Sequence, residues 1–197
     1  DEINTCIACN QACLDHTFAQ KLTSCLVNPR ACNEQELVIP IAQAKKRFAV
    51  VGAGPAGLAA STTLAQRGYE VHLFDAAERI GGQFNMAKTI PGKEEFEETL
   101  RYFARRLEVT GVHLHLNTRM AAHALKAGNF VQVIVATGVT PRDPKIPGQD
   151  HPKVLSYIDV LLHKKPVGQR VAILGAGGIG FDMAEYLANG TDLGHKS

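Results

Sequence analysis

Cys6, Cys9, Cys13 and Cys25 stand in the pattern C-x2-C-x3-C-x11-C near the start of the chain. Thiolate is a soft ligand suited to iron–sulfur clusters and to zinc. Three ligands from one tight segment and a fourth from further on suit a loop wrapped around a cubane cluster. Structural zinc sites come more often as two separated pairs. Zinc stays open as the rival. So do a disulfide framework and simple packing, because Cys6, Cys9 and Cys13 fit one face of a helix. The fifth thiol, Cys32, reads as a spare or as a neighbour of that site.

A second kind of chemistry follows at Val50-Val51-Gly52-Ala53-Gly54-Pro55-Ala56-Gly57, a strand running into a glycine-rich turn. Gly52 permits the tight turn, Gly54 lets backbone approach a pyrophosphate, and Gly57 lets helix pack on strand. The helix start offers free N–H groups and a positive dipole end to phosphate. Asp75 lies where an acidic side chain accepts hydrogen bonds from an adenosine ribose, and its charge disfavours a 2′-phosphate there. Two features tip the ligand from NAD(P) toward FAD. Gly81-Gly82-Gln83 supplies flexible backbone and an amide, and Val133 to Gly138 is a strand ending in a small-residue turn. The fingerprint recurs at Gly175-Ala176-Gly177-Gly178-Ile179-Gly180. The eight histidines are scattered, with neither a paired carboxylate nor ligand spacing, and read as surface or core residues.

These residues need elements to hold them. Apolar runs predict strands at 48–51, 71–74, 112–116, 131–136 and 171–174. Helical spacing predicts helices over 56–67 and 93–109, the latter with Phe96, Leu100, Phe103 and Leu107 on one face. A shorter helical pattern surrounds 155–162, and a final helix runs to about 187. Gly68 and Gly111 stand where the first two helices stop. The expected fold class is α/β: a Rossmann-like FAD-binding domain preceded by a cysteine-rich cluster-binding segment and followed by the start of a second Rossmann-like, NAD(P)-binding domain. The boundaries fall at 1–46 for the cysteine segment and connector, 47–168 for an incomplete FAD domain, and 169–197 for a truncated NAD(P)H domain.

Composition bounds the function class. The chain has 197 residues, 45% of them hydrophobic, and a net charge of +2 with both signs interleaved. That predicts a globular domain with no electrostatic footprint for nucleic acid or an acidic membrane. No stretch is long and apolar enough to span a bilayer, and the polar start is no signal peptide. With an odd number of cysteines, this points to a reducing cytoplasm. A start without methionine, and an end soon after the second glycine turn, predict a fragment.

Taken in order, the four cysteines, the Gly52–Gly57 fingerprint, Gly81-Gly82-Gln83-Phe84-Asn85, Ile90-Pro91-Gly92-Lys93-Glu94-Glu95-Phe96, Ala136-Thr137-Gly138 and the Gly175–Gly180 fingerprint resemble the bacterial NADPH-dependent 2,4-dienoyl-CoA reductases. Trimethylamine dehydrogenase and related flavin oxidoreductases are more distant relatives. The resemblance spans essentially the whole chain and is densest from Cys25-Leu26-Val27-Asn28-Pro29 to Phe96. It implies a [4Fe-4S] cluster on Cys6, Cys9, Cys13 and Cys25. It implies FAD contacts from Ala56, Asp75, Gln83 and Lys93, and from the backbone of Met120, where the family has a smaller apolar residue. Gly52, Gly54, Gly57 and Gly138 complete that site. Gly175, Gly177 and Gly180 would serve NADPH, and the residue that chooses between NADPH and NADH lies beyond the chain. An FMN barrel carrying the acyl-CoA site would precede it. Electrons would pass from NADPH to FAD, singly through the cluster, and on to FMN, so no catalytic side chain is assigned here. Two alternatives are an electron-input subunit resembling the small subunit of glutamate synthase, and a non-enzymatic, zinc-stapled nucleotide-binding fragment.

Overall fold

The computed structural model describes residues 2–189. Four parallel strands form one sheet: β1 (Arg47–Val51), β2 (Glu70–Phe74), β3 (His113–His115) and β4 (Gln132–Val135), in the spatial order β3-β2-β1-β4. This is the expected α/β Rossmann-like arrangement. β1 runs beside both β2 and β4, so the chain leaves β1 one way and returns on its other side. In such sheets the crevice at the carboxyl ends of the strands is where ligands sit.

Helices cover one face of the sheet. α2 (Pro55–Gln66) starts with a proline, whose missing N–H costs nothing at that position, and Gly68 with φ +87 follows its end. α4 (Glu95–Thr110) carries Glu95, Glu97 and Glu98 in its first turn, where they complement the helix dipole. Between them and the sheet lies a core of Val50, Ala53, Leu58, Val71, Leu73, Leu100 and Leu107. Period-two alternation sends Val71 and Leu73 into that core and turns Glu70, His72 and Phe74 to the opposite face. Short helices α1 (Leu14–Phe18), α3 (Phe84–Ala87) and α5 (Ala122–Ala127), absent from the sequence expectation, occupy connections.

By internal contacts the chain divides into two compact units. The first comprises Asp1–Phe84 and Glu95–Gly138, so the cysteine segment groups with the sheet. The second comprises Asn85–Glu94 and the residues from Val139 on. It holds α6 (Tyr157–Leu161) and α7 (Gly178–Asn189) around a small core of Ile90, Val160, Leu161 and Met183. The strand expected at 171–174 does not form among the described residues. A parallel strand needs a neighbour to take up its N–H and C=O groups, and here Val171, Ile173 and Leu174 lie exposed with no strand beside them.

α6 is fixed by a reciprocal cap. Asp159 N–H donates to Ser156 Oγ at 3.1 Å, Ser156 N–H donates to Asp159 Oδ2 at 3.0 Å, and Lys165 Nζ lies 2.6 Å from Asp159 Oδ1. Lys165 first, and Ser156 next, hold the Asp159 carboxyl well below the usual carboxylate range. A depressed folded-state pKa gives stability that is present above the unfolded carboxylate's range and lost as pH falls through it. Urea unfolding followed by tyrosine fluorescence should therefore find Asp159→Asn less stable than the native chain at pH 7. The gap should narrow below about pH 4; a gap that stays constant to pH 3 would show that the cap carries no ionic contribution.

Candidate functional site

The site grows from the turn after β1. Gly52 has φ +108, and a Cβ there would lie 2.2 Å from the Ala136 carbonyl oxygen at the end of β4. A Cβ on Gly57 would lie 1.7 Å from the Gly52 carbonyl oxygen. Both positions admit only glycine, for reasons internal to the fold. Gly54 differs: its Cβ would meet nothing nearer than Gly82 Cα at 4.0 Å. Its lack of a side chain is not required by packing, and the space it leaves is on the surface of the turn.

Asp75 sits just past β2 and reaches this turn. Its Oδ2 accepts from Ala53 N–H at 2.6 Å and its Oδ1 from Ala77 N–H at 2.8 Å. A carboxylate offers about four lone-pair sites, so capacity remains for two ribose hydroxyls. Backbone bonds lock the acid in place: Asp75 N–H donates to His115 C=O at 2.9 Å, and Thr118 N–H donates to Asp75 C=O at 2.7 Å. Met120 follows two residues later and is half-buried. Gly81 N–H donates to Ala53 C=O at 2.8 Å, which lays the Gly81-Gly82 turn against the fingerprint and brings the exposed Gln83 after it. At α2 no side chain caps Gly54, and Ala56 is exposed at the helix start. Gly138, with φ +77, ends the strand-to-turn passage after Ala136.

Thus Gly52, Gly54, Ala56, Gly57, Asp75, Gln83, Met120 and Gly138 all lie in the first unit. Lys93 lies in the second, where its ammonium reaches both carboxylate oxygens of Asp182 on α7, at 2.6 and 2.7 Å. The second fingerprint repeats the contact of the first. Gly175 has φ +124, and a Cβ on Gly180 would lie 2.1 Å from the Gly175 carbonyl oxygen, whereas Gly177 has open space around it.

All five cysteines are free thiols, with Cys9, Cys13 and Cys25 half-buried and Cys6 exposed. No disulfide joins them among the described residues. Ala8 and Asn10 take left-handed backbone, φ 53 and 57, which curls the chain between Cys6 and Cys13. Ala8 N–H donates to Cys6 Sγ at 3.3 Å. Ser24 N–H donates to Ala12 C=O at 2.7 Å, drawing the segment of the fourth cysteine beside that of the third. α4 anchors the segment: Arg101 donates to Ile3 C=O at 3.1 Å, and Arg106 pairs with Glu2 at 3.0 Å. Sequence spacing gave no sign of these two arginines' role, because the contacts span about a hundred residues of chain.

The reading of the histidines as scattered is corrected. His72 and His113 are register partners on β2 and β3, and His115 lies beside them. Parallel pairing joins residues far apart in sequence, and the one visible clue was the period-two spacing of His113 and His115. Burial first, then His72, His113 and Arg47, hold the His115 imidazole below its usual range.

A parallel sheet with a glycine turn at its switch point and an acid at the end of the second strand is the arrangement of a dinucleotide-binding domain. The chain belongs to the pyridine nucleotide-disulphide oxidoreductase family, whose model matches residues 46–195. It is 34% identical over 201 residues to the metal reductase of Desulforamulus reducens, covering 100% of this chain and 30% of that protein. It is 35% identical over 186 residues to the bilirubin reductase of Mediterraneibacter gnavus, covering 94% of this chain and 29% of that one. Among solved structures, a 2-naphthoyl-CoA reductase in complex with 2-naphthoyl-CoA superposes with TM-score 0.92 at 35% identity, over 96% of this chain and 29% of that one. The chain thus spans under a third of the length of the relatives it matches. No helix among the described residues is long and apolar enough to cross a membrane.

The three glycines of the first turn should separate under substitution. Gly54→Ala should keep stability within about 1 kcal/mol of native while weakening FAD binding at least about tenfold, because the methyl occupies the surface a pyrophosphate would approach. Gly57→Ala should fail to reach the native state at all. Fluorescence titration with FAD alongside urea unfolding measures both, and unchanged FAD affinity in Gly54→Ala would place the pyrophosphate elsewhere.

Proposed function

We propose that this chain is the electron-transfer portion of an NADPH-dependent flavin and iron–sulfur oxidoreductase that reduces 2,4-dienoyl-CoA at an FMN site in another domain. One observation carries the reading: the four cysteines and the dinucleotide turn belong to a single compact unit, with α4 holding the cysteine segment through Arg101 and Arg106. One-electron and two-electron carriers have to lie near each other to exchange electrons, and this unit supplies binding elements for both. When bound, FAD exchanges hydride equivalents for single electrons, and a [4Fe-4S] cluster accepts those singly.

The chain's own residues bind and orient. Gly54 and the uncapped start of α2 present N–H groups to a pyrophosphate, and Asp75, already braced by Ala53 and Ala77, offers its remaining lone pairs to ribose hydroxyls. Gly175, Gly177 and Gly180 form the equivalent turn for the nicotinamide nucleotide in the second unit. Cys6, Cys9, Cys13 and Cys25 would hold the cluster. The Ala8 N–H bond to Cys6 Sγ is of a kind that tunes cluster thiolates. The likeness to a reductase crystallised with an aromatic acyl-CoA supports an unsaturated acyl-CoA as the substrate class.

Anaerobic purification of the full-length protein should give flavin bands over broad iron–sulfur absorption, with NADPH oxidation that depends on added dienoyl-CoA. Cys25→Ala should abolish substrate reduction while NADPH still bleaches the flavin, since only the path beyond FAD is cut. Residues 1–197 alone should not reduce dienoyl-CoA even when loaded with FAD and cluster. Colourless protein with stoichiometric zinc would sink the redox reading.

A further inference from the structure

On the sheet face opposite α2 and α4, three side chains converge from two strands. Glu70 and His72 come from β2 and His113 from the edge strand β3, and one ligand atom from each lies within 4.8 Å of the others. We propose that Glu70, His72 and His113 form a binding site for a single divalent transition-metal ion of the zinc or copper class. It is separate from the four cysteines and plays no part in the electron path.

The hydrogen bonding around His72 supports this. Arg47 Nε donates to His72 Nε2 at 3.2 Å, and Arg47 Nη2 lies 3.1 Å from the same nitrogen. On the other side of the ring, His72 Nδ1 lies 3.0 Å from His115 Nε2. A bond from the second ring nitrogen to a neighbour is what orients a metal-ligating histidine. Glu70 Oε1 lies 3.0 Å from His72 Nε2, so the two ligand atoms face each other at close range. They are held there by a shared cation, the Arg47 guanidinium, whose Nε is 3.0 Å from Glu70 Oε1. The arrangement is that of a cation site with a side chain standing in for the ion.

The guanidinium can yield. Arg47 Nη1 also donates to Gly128 C=O at 2.9 Å, and its guanidinium lies 4.9 Å from the Phe130 ring centre, so two partners remain when an ion takes its place. His113 supplies the third ligand, its ring stacked 4.7 Å from that of His72. Tetrahedral zinc with nitrogen and oxygen ligands spaces them at roughly 3.3 Å, so the group has to close by about an ångström or so. His113 is exposed and free to turn. The donor set of two imidazoles and a carboxylate suits zinc and copper rather than magnesium or calcium. An ion here would clip the three-residue β3 to β2, two residues before His115 takes up the Asp75 N–H.

The test is calorimetric titration of ZnCl2 into the full-length protein with its cysteine site occupied. The expected result is one additional equivalent per chain whose Kd rises at least about tenfold in both His113→Ala and Glu70→Gln. In Arg47→Met the same Kd should fall, because the competing cation is gone. Loading with CoCl2 should give the weak visible bands of nitrogen and oxygen ligation without thiolate charge-transfer absorption. No additional equivalent would overturn the proposal, as would binding indifferent to either substitution on β2 or β3, weaker binding in Arg47→Met, or thiolate absorption from the added cobalt. Because Glu70 and His113 touch neither the glycine turn nor the cysteines, NADPH-driven flavin reduction should be unchanged in both variants, so failure of this site and failure of the redox reading remain distinguishable.

Discussion

The structure of the first unit depends on one contact: backbone meeting backbone where the turn after β1 crosses the start of α2 and the end of β4. The Gly52 carbonyl occupies the space a Cβ on Gly57 would need, and the Ala136 carbonyl occupies the space of one on Gly52. Three segments can approach this closely only because two of them carry no side chain there. The closeness has two consequences. It seats α2 on the sheet so that Leu58 is fully buried against Val50 and Leu73. It also aims the uncapped helix start at the crevice between β1 and β4, where a phosphate would find N–H groups without competition from a capping side chain.

Asp75 extends the same logic to the neighbouring strand. Its carboxylate is braced by Ala53 and Ala77, and its backbone is paired with His115 and Thr118. An acid held by four bonds has little freedom left to lose when it meets a ribose. Much of the entropy cost of organising that contact is therefore met in folding rather than in binding. By contrast the cysteine segment has almost no regular structure, with α1 only five residues long and without buried residues. Left-handed turns, a few backbone bonds and two arginines from α4 hold it.

What was legible in the sequence was what rests on local pattern. The strand, turn, helix and strand of β1-α2-β2 are encoded by an apolar run, three glycines, a proline and helical spacing, and each appears within a residue or two of expectation. The amphipathic α4 was equally plain from Phe96, Leu100, Phe103 and Leu107, and starts at Glu95 rather than Lys93, whose N–H closes a turn onto Ile90 C=O at 3.0 Å. What was not legible rests on pairing at long range. The docking of the cysteine segment by Arg101 and Arg106, and the meeting of His72 with His113, depend on which strands and helices become neighbours. No short-range period records that.

The two glycine fingerprints show how far local pattern reaches. In both, the third glycine lies over the carbonyl of the first, at 1.7 Å for the Gly57 and Gly52 pair and 2.1 Å for the Gly180 and Gly175 pair, measured to a hypothetical Cβ. In both, the first glycine takes positive φ, +108 and +124. Yet β1 is paired on both sides, whereas 171–174 has no strand beside it. Among the described residues, glycines at these intervals followed by a helix take the same loop geometry with and without a strand beside them, and what faces the loop differs. In the first unit that is Asp75, Gly82 and the end of β4. The second turn repeats that loop geometry with Gly178 and Ile179 where the first has Pro55 and Ala56.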